Sequence, residues 1–188
     1  YQPTPQTMQK LSEASLYFSI GVPTEAANIL PKVKGFNEGI SIVSLADKVG
    51  EVYQHRYFHE HEEHEEHDGH EEHGDEDSEI HEHESDGHTH AGRDPHIWLS
   101  PKRVKVMVDV IAKELSTIDP ESKEFYENNA EAYKNKLDEL DSEIKTLLSN
   151  IKNKTFIVYH PSFGYFADDY GLEMVELEQN GKEATAKI

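Results

Sequence analysis

Cysteine is absent from this 188-residue chain, and basic residues are scarce. Without cysteine there is no disulfide framework, no thiol catalysis and no thiolate metal site, and the chain is compatible with an oxidising compartment. Aspartate and glutamate number 38 against 18 lysines and arginines, which gives a net charge of -20. This charge disfavours nucleic acid and anionic membrane surfaces as partners and makes cations the natural ones.

Long apolar runs and an N-terminal leader are also missing. No run of apolar residues is long enough to cross a membrane, so we expect no direct membrane span. The chain has no initiator methionine and starts abruptly at Tyr1, which we interpret as a processed or cropped piece. On this interpretation the missing signal says nothing about destination.

The chain contains a tract of histidine and acidic residues at 59–90, without lysine or arginine. It holds ten of the 13 histidines and 15 of the 38 acidic residues. This composition cannot bury enough apolar surface to offset the entropy of ordering, so we predict disorder over residues 55–93. Flexible imidazoles and carboxylates also predict an auxiliary loop that binds metal weakly, with candidate ligands His59, His61, His64, His67, His70, His73, His81, His83, His88 and His90. A solvated acidic spacer without a metal role is the alternative.

On both sides of this tract, strand-like segments alternate with helix-like segments, a pattern typical of an α/β domain with a parallel sheet. Strands are predicted at 16–20, 41–44, 155–159 and 172–177, and the third is expected to be the most clearly buried. Helices are predicted from Thr4, over 25–30, from Ser100 to about residue 116, over 120–152, and briefly before Gly171. The helix over 120–152 fits either a coiled-coil arm or a rigid strut across two lobes, and its periodicity does not decide between them.

Two histidines outside the tract lie at junctions between predicted elements. His96 comes just before a capped helix, and His160 follows a strand at its carboxyl end, where open α/β sheets bind ligands. Neutral imidazole suits zinc and other late first-row ions. Spacing alone leaves two interpretations open, a metal-binding pair or two structural histidines.

Other side chains carry weaker signals. We expect Tyr165 to pack in the core or in a cleft wall, and Asp168 and Asp169 to lie on a solvated helix face. Ser162 lacks the G-x-S-x-G context of a hydrolase nucleophile. A zinc hydrolase also needs a motif such as H-E-x-x-H, which the chain lacks, so we do not expect an enzyme.

Five stretches, taken in their order along the chain, match the pattern of a known family. They are Tyr1-Gln-Pro-Thr-Pro-Gln, Leu11-Ser-Glu-Ala-Ser-Leu-Tyr17, the His/acid tract, Asp94-Pro-His-Ile-Trp-Leu-Ser-Pro101 and His160-Pro-Ser-Phe-Gly-Tyr-Phe166. With them the chain resembles the receptor proteins of zinc and manganese ABC importers, the cluster A-I family. The resemblance implies an α/β fold of two Rossmann-like lobes joined by a long backbone α-helix, with a metal cleft between the lobes, of which this chain is an incomplete piece. It implies an N-terminal lobe within 1–118, a linking helix over 119–153, and the start of a C-terminal lobe at 154–188.

The same resemblance implies a function. It makes His96 and His160 metal ligands, one from each lobe, and expects the remaining ligands before Tyr1 and after Ile188. Imidazole at position 160 and the His-rich loop are marks of the zinc branch, because manganese receptors carry Glu at the former position and manganese favours oxygen. We therefore expect a monomeric extracytoplasmic receptor, periplasmic or a cell-surface lipoprotein, that captures Zn²⁺ and delivers it to an ABC permease in the membrane. The rivals are a manganese or mixed-metal receptor and a His-rich metal-buffering or adhesion surface protein.

Overall fold

The structure is a computed structural model that describes residues 4–58, 92–179 and 182–183. Its first part alternates helices and strands: α1 (Pro5–Ser12), β1 (Leu16–Ser19), α2 (Leu30–Phe36), β2 (Ser41–Ser44) and α3 (Leu45–Gly50). The hydroxyl of Thr4 accepts a hydrogen bond from the Thr7 N–H at 3.2 Å, and Pro5 occupies the first turn of α1, so this helix begins where the cap predicts.

β1 and β2 pair in parallel, with Leu16 opposite Ser41, which confirms the predicted parallel arrangement in this part of the chain. The predicted helix over 25–30 is a single π-helical turn, Glu25–Ile29, that runs on into α2. α3 was not predicted, although its signal is present. Ser44 is both the last residue of β2 and the cap of α3, where its hydroxyl accepts from the Asp47 N–H at 3.2 Å.

Two long helices follow residues 59–91. A short 3₁₀ turn, Ile97–Leu99, leads into α4 (Pro101–Ile118), and another, Pro120–Ser122, leads into α5 (Lys123–Leu148). Ser100 caps α4, as predicted, through a bond from the Arg103 N–H. α5 has 26 residues and extends on the order of 40 Å, shorter than the helix predicted over 120–152. It packs along α4, so it is not a free coiled-coil arm.

The last part contains β3 (Thr155–Val158), α6 (Gly164–Tyr170), β4 (Glu173–Glu176) and an unpredicted antiparallel hairpin of β5 (Glu178–Gln179) and β6 (Lys182–Glu183). β3 and β4 pair in parallel, as predicted for the strand–helix–strand unit. The prediction that β3 is a buried strand is wrong, because Ile157 is 67% exposed. Among the described elements β3 pairs only with β4, and alternate residues of the strand face solvent.

The main cluster of buried core residues joins segments from before and after residues 59–91. It consists of Leu45, Ala46, Val49, Ile97, Met107 and Tyr165. Only Tyr165 comes from α6, and it is fully buried, so its expected packing role is confirmed. α6 is therefore docked on the N-terminal part of the fold. Within the described ranges no helix is long and apolar enough to cross a membrane.

The division into lobes at residues 118 and 153 stays a prediction. α5 occupies most of the segment predicted to link the lobes. Residues 55–58 and 92–93, at the edges of the predicted 55–93 loop, are described, and Tyr57 forms an antiparallel bridge with Arg93. The ten tract histidines, 59–90, lie outside the described residues.

Candidate metal centre

The two histidines singled out in the sequence are neighbours in space. His96 immediately precedes the 3₁₀ turn before α4, and His160 follows β3 after one intervening residue. Their Nε2 atoms are 3.3 Å apart, although the residues are 64 positions apart in sequence. The ring planes are inclined by 74°, with centroids 5.1 Å apart. The fold thus brings both predicted ligands to one point.

This Nε2–Nε2 distance matches the edge of a zinc coordination tetrahedron. Two nitrogens held about 2.0–2.1 Å from a tetrahedral Zn²⁺ lie roughly 3.3–3.4 Å from each other. The observed 3.3 Å is therefore the spacing that two imidazole nitrogens bound to one tetrahedral zinc ion have. A hydrogen bond between the rings gives a similar distance, and it requires one Nε2 to carry a proton that zinc binding would displace.

Asp94 orients the His96 ring. Its Oδ1 accepts a hydrogen bond from the His96 backbone N–H at 2.9 Å and lies 2.7 Å from Nδ1 of the same ring. Pro95 biases the backbone of Asp94 towards an extended conformation. Since the Asp94 side chain is only 2% exposed, its carboxylate favours a proton on Nδ1 and leaves the Nε2 lone pair available for a metal.

The two histidines line a cleft of about 740 Å³. The other lining residues come from the loop after β1 and from the segments on either side of 59–91, and they are Gly21, Pro23, Tyr57, Phe58, Gly92, Arg93 and Pro95. Aromatic rings flank His96, with the centroid of Phe58 at 6.5 Å and that of Trp98 at 5.2 Å.

Glu25 shapes the cleft wall formed by the loop after β1. Its Oε2 atom accepts hydrogen bonds from three consecutive backbone N–H groups, those of Ile20, Gly21 and Val22. Its Oε1 atom accepts a hydrogen bond from the Tyr17 hydroxyl at 2.9 Å. Burial and this bond to Glu25 raise the pKa of Tyr17 to about 12. Sequence reasoning missed Glu25, whose only local signal is an acidic residue at the start of a helix that follows a glycine turn.

Arg93 places a positive charge at the cleft wall. Its Nη1 donates to Asp47 at 2.9 Å, and this bond lowers the pKa of the Asp47 carboxyl. Gly21 has φ +81°, a conformation that favours glycine, and the absence of a Cβ there lets Nη2 of Arg93 approach closely. The salt bridge to Asp47 offsets the arginine charge beside a site that would hold a cation.

Sequence reasoning also missed a third histidine outside the tract, His55. It is not among the residues that line the cleft. Burial, followed by the charge of Arg93, lowers the pKa of its imidazole. Its Nδ1 is buried without a hydrogen-bond partner in the described part of the protein. His55 therefore lies four residues before the tract in sequence and is separate from the cleft.

α6 is held to the N-terminal part by its acidic residues. Asp169, only 4% exposed, pairs with Arg103 at 2.7 Å and Lys102 at 2.6 Å, so the prediction of a solvated helix face is wrong for this residue. The reason is tertiary, since the basic partners belong to α4. Asp168 is 50% exposed and binds Nη1 of Arg56 through both carboxylate oxygens at 2.7 Å.

The donor set fits zinc but is small. Among the described residues there is no group of three or more histidine, cysteine, aspartate or glutamate side chains that could hold a metal. His96 and His160 supply two imidazole nitrogens, which suit zinc and other late first-row ions better than magnesium or manganese.

Comparisons with known proteins point in one direction. The family model described as zinc-uptake complex component A, periplasmic (ZnuA) matches residues 1–188. The zinc-binding lipoprotein AdcA of Streptococcus pneumoniae is 44% identical over 104 residues, which is 55% of this chain and 21% of the relative. The high-affinity zinc uptake system protein ZnuA of Bacillus subtilis is 40% identical over 84 residues, which is 45% of this chain and 26% of the relative.

Solved structures share the fold. A crystal structure of ZnuA superposes with a TM-score of 0.73 at 31% identity, covering 100% of this chain and 60% of that one. The Zn(II)-bound AdcA of Streptococcus pneumoniae superposes with a TM-score of 0.64 at 26% identity, covering 95% of this chain and 32% of that one. The chain thus has the α/β fold of zinc-binding solute-binding proteins and spans less than two thirds of the proteins it matches.

Proposed function

Because the chain belongs, over residues 1–188, to the periplasmic zinc-uptake component A family, we propose that it captures Zn²⁺ for uptake by a membrane permease. The observation that carries this proposal is the 3.3 Å separation of the His96 and His160 Nε2 atoms. The Asp94 carboxylate supports it, because it favours the ring tautomer that a metal ligand needs. Capture and release of an ion involve no covalent chemistry, so the protein acts as a receptor and not as an enzyme.

We propose zinc over manganese as the cargo. Both described ligands are imidazoles, whereas manganese sites favour more oxygen donors. One relative named for zinc binding and another named for high-affinity zinc uptake support this choice. A mixed-metal receptor would bind Mn²⁺ with an affinity close to that for Zn²⁺, and competition titration with the two ions separates the two cases.

The location and partner follow from the same family. Its description contains the word periplasmic, and the pneumococcal relative is named a lipoprotein. We propose that the protein works outside the cytoplasm as a monomer, in the periplasm or as a cell-surface lipoprotein, and hands its ion to an ABC permease.

The histidine tract is proposed as an auxiliary metal loop for the cleft. Its candidate ligands are the ten histidines within 59–90. The residues that flank it are fixed at the cleft, since the Phe58 N–H donates to the Gly92 carbonyl at 2.6 Å and the Asp94 N–H donates to the Arg56 carbonyl at 2.9 Å. An ion bound by tethered ligands is at high effective concentration for His96 and His160. Deleting residues 59–90 distinguishes a receptor with an auxiliary loop from a metal buffer. After the deletion a receptor keeps one tightly bound ion, whereas a buffer loses nearly all its zinc.

The proposal is tested by zinc titration of the intact protein against a competing chelator. His96→Ala and His160→Ala should each weaken tight zinc binding by more than about 100-fold, beyond the tenfold to 100-fold typical of residues that only support a ligand. His55→Ala is the matched control, because it removes a histidine that lies outside the cleft, and it should keep the wild-type affinity. Wild-type affinity in both cleft variants would overturn the proposal.

A further inference from the structure

The hydroxyl of Tyr165 connects α6 to the residue that orients His96. The Tyr165 side chain is fully buried, and its hydroxyl donates to the Asp94 backbone carbonyl at 3.0 Å. The same hydroxyl accepts from the Arg56 backbone N–H at 3.0 Å. Tyr165 lies on the helix that follows His160, so the bond to Asp94 runs from the His160 segment to the His96 segment, and the bond to Arg56 reaches the segment before residue 59.

A second connection runs beside the first. Nη1 of Arg56 binds both oxygens of Asp168 on α6, and its Nε lies 3.6 Å from Oδ2 of Asp94. Both Nε and Oδ2 are buried, and neither has a hydrogen-bond partner among the described residues. This separation is too long for a hydrogen bond, but it places opposite charges close together where solvent is excluded. Arg56 and Asp94 are therefore each tied to α6.

The aromatic ring of Tyr165 is fixed independently of its hydroxyl. The guanidinium of Arg103 lies over this ring, 4.5 Å from its centroid, and the ring is part of the buried core with Ile97 and Met107. Phenylalanine would keep these ring contacts. It would leave the Asp94 carbonyl and the Arg56 N–H without the hydroxyl, in a site where unpaired polar groups are unfavourable.

We propose that Tyr165 is a positioning residue for the metal centre, whose hydroxyl sets the spacing between the His96 and His160 imidazoles. This inference rests on the proposed binding of zinc by that pair. A metal site tolerates misplacement of its ligands by only about 0.5 Å, and supporting hydrogen bonds provide that precision. The path is short: the hydroxyl holds the backbone of Asp94, whose carboxylate in turn holds the His96 ring.

The test compares two tyrosine-to-phenylalanine variants on the same helix. Tyr165→Phe removes the hydroxyl that reaches Asp94. Tyr170→Phe is the matched control, because it also removes one hydroxyl from α6, one that donates to Asp141 of α5 at 3.0 Å and does not reach the cleft. Both variants of the intact protein are measured for Zn²⁺ affinity, for unfolding by denaturant, and for the visible absorption of bound Co²⁺, which reports coordination geometry.

Tyr165→Phe should weaken Zn²⁺ binding by about tenfold to 100-fold, the range for residues that support a metal ligand, and should change the Co²⁺ spectrum. Tyr170→Phe should lower stability while keeping the wild-type affinity and spectrum. The inference is overturned if Tyr165→Phe has the wild-type affinity and spectrum, or if both variants lose affinity in proportion to stability. If Tyr165→Phe does not fold, the crystal structure of the zinc-bound wild-type protein is the test, and the inference is overturned if its Tyr165 hydroxyl makes no hydrogen bond to the Asp94 carbonyl.

These outcomes are separable from failure of the proposed function. If His96→Ala and His160→Ala bind zinc as the wild type does, the pair is not the site and the function fails. If those two variants lose zinc and Tyr165→Phe does not, the function stands and only the positioning role of Tyr165 fails.

Discussion

The carboxylate of Asp169 lies 2.7 Å from Nη1 of Arg103, and both side chains are almost fully buried, with 4% and 7% exposed. The hydroxyl of Ser100, the cap of α4, donates to the other carboxylate oxygen. Lys102 approaches the same carboxylate at 2.6 Å from the solvent side. This cluster holds α6 against the start of α4. Because α6 follows His160 and α4 begins just after His96, the cluster also connects the segments that carry the two histidines.

Asp169→Asn should destabilise the fold strongly. The substitution leaves the guanidinium of Arg103 buried without its anion, and breaking one partner of a buried ion pair costs about 3–5 kcal/mol. The measurement is the free energy of unfolding from denaturant titration of the metal-free protein. Asp168→Asn is the control, because this carboxylate is half exposed and an exposed pair contributes about 1 kcal/mol or less. Equal losses in the two variants would contradict the assigned burial of Asp169.

Asp94→Asn should weaken zinc binding by about tenfold to 100-fold while leaving the cleft histidines in place. The amide retains an oxygen near the His96 backbone, but it lacks the negative charge that favours a proton on Nδ1. Chelator competition measures the change in affinity. Asp138→Asn removes the same charge from an exposed residue on α5 that pairs with Lys105, and should bind zinc as the wild type does. A matching loss in Asp138→Asn would assign the effect to overall charge.

The start of a helix was predictable where its capping residue does not also belong to another element. Ser100 followed by Pro101 marks the start of α4, and the structure begins the helix there. α3 was missed because Ser44 ends a strand and caps a helix at once, with no turn residue between them. The exposure of β3 at Ile157 was not predictable from its β-branched and aromatic composition, since composition reports strand propensity and not which elements cover the strand.

The candidate site was only half predictable. His96 and His160 were identified by their positions at element junctions and by the family resemblance, and the fold brings them together. The groups that support them depend on distant pairings that no local pattern encodes. The Tyr165 hydroxyl meets Arg56 across 109 positions, and Asp169 meets Arg103 across 66. In sequence Asp168 and Asp169 are equivalent acids on one helix, and only the packing of α6 on α4 makes one buried and the other exposed.

Stability should fall at alkaline pH through Tyr17. Burial and the bond to Glu25 raise its pKa from 10.0 to about 12. The folded state thus holds the phenolic proton more tightly than the unfolded state. This difference stabilises the folded state fully below pH 10, and the stabilisation is lost as the pH rises through about 12. Denaturant unfolding as a function of pH should show a shallower alkaline decline in Tyr17→Phe than in the wild type. Parallel declines would exclude this contribution.

Glu25→Gln provides an independent check on the same pair. It removes the two contributions of the carboxylate to the Tyr17 pKa and leaves burial, the largest cause, in place. Subtracting the tyrosinate absorbance of the Glu25→Gln, Tyr17→Phe double variant from that of Glu25→Gln isolates the titration of Tyr17. The Tyr17 pKa obtained in this way should therefore lie below the wild-type value. An unchanged pKa would show that Glu25 does not interact with the Tyr17 hydroxyl as the structure has it.

The position of the bound ion shows directly whether His96 and His160 hold zinc together. Crystals of the intact protein with one equivalent of zinc, measured on both sides of the zinc absorption edge, give an anomalous peak for the metal alone. One peak is expected in the cleft, at about 2.0–2.1 Å from Nε2 of both His96 and His160. A zinc peak bound by only one of these rings, or by neither, would contradict this expectation.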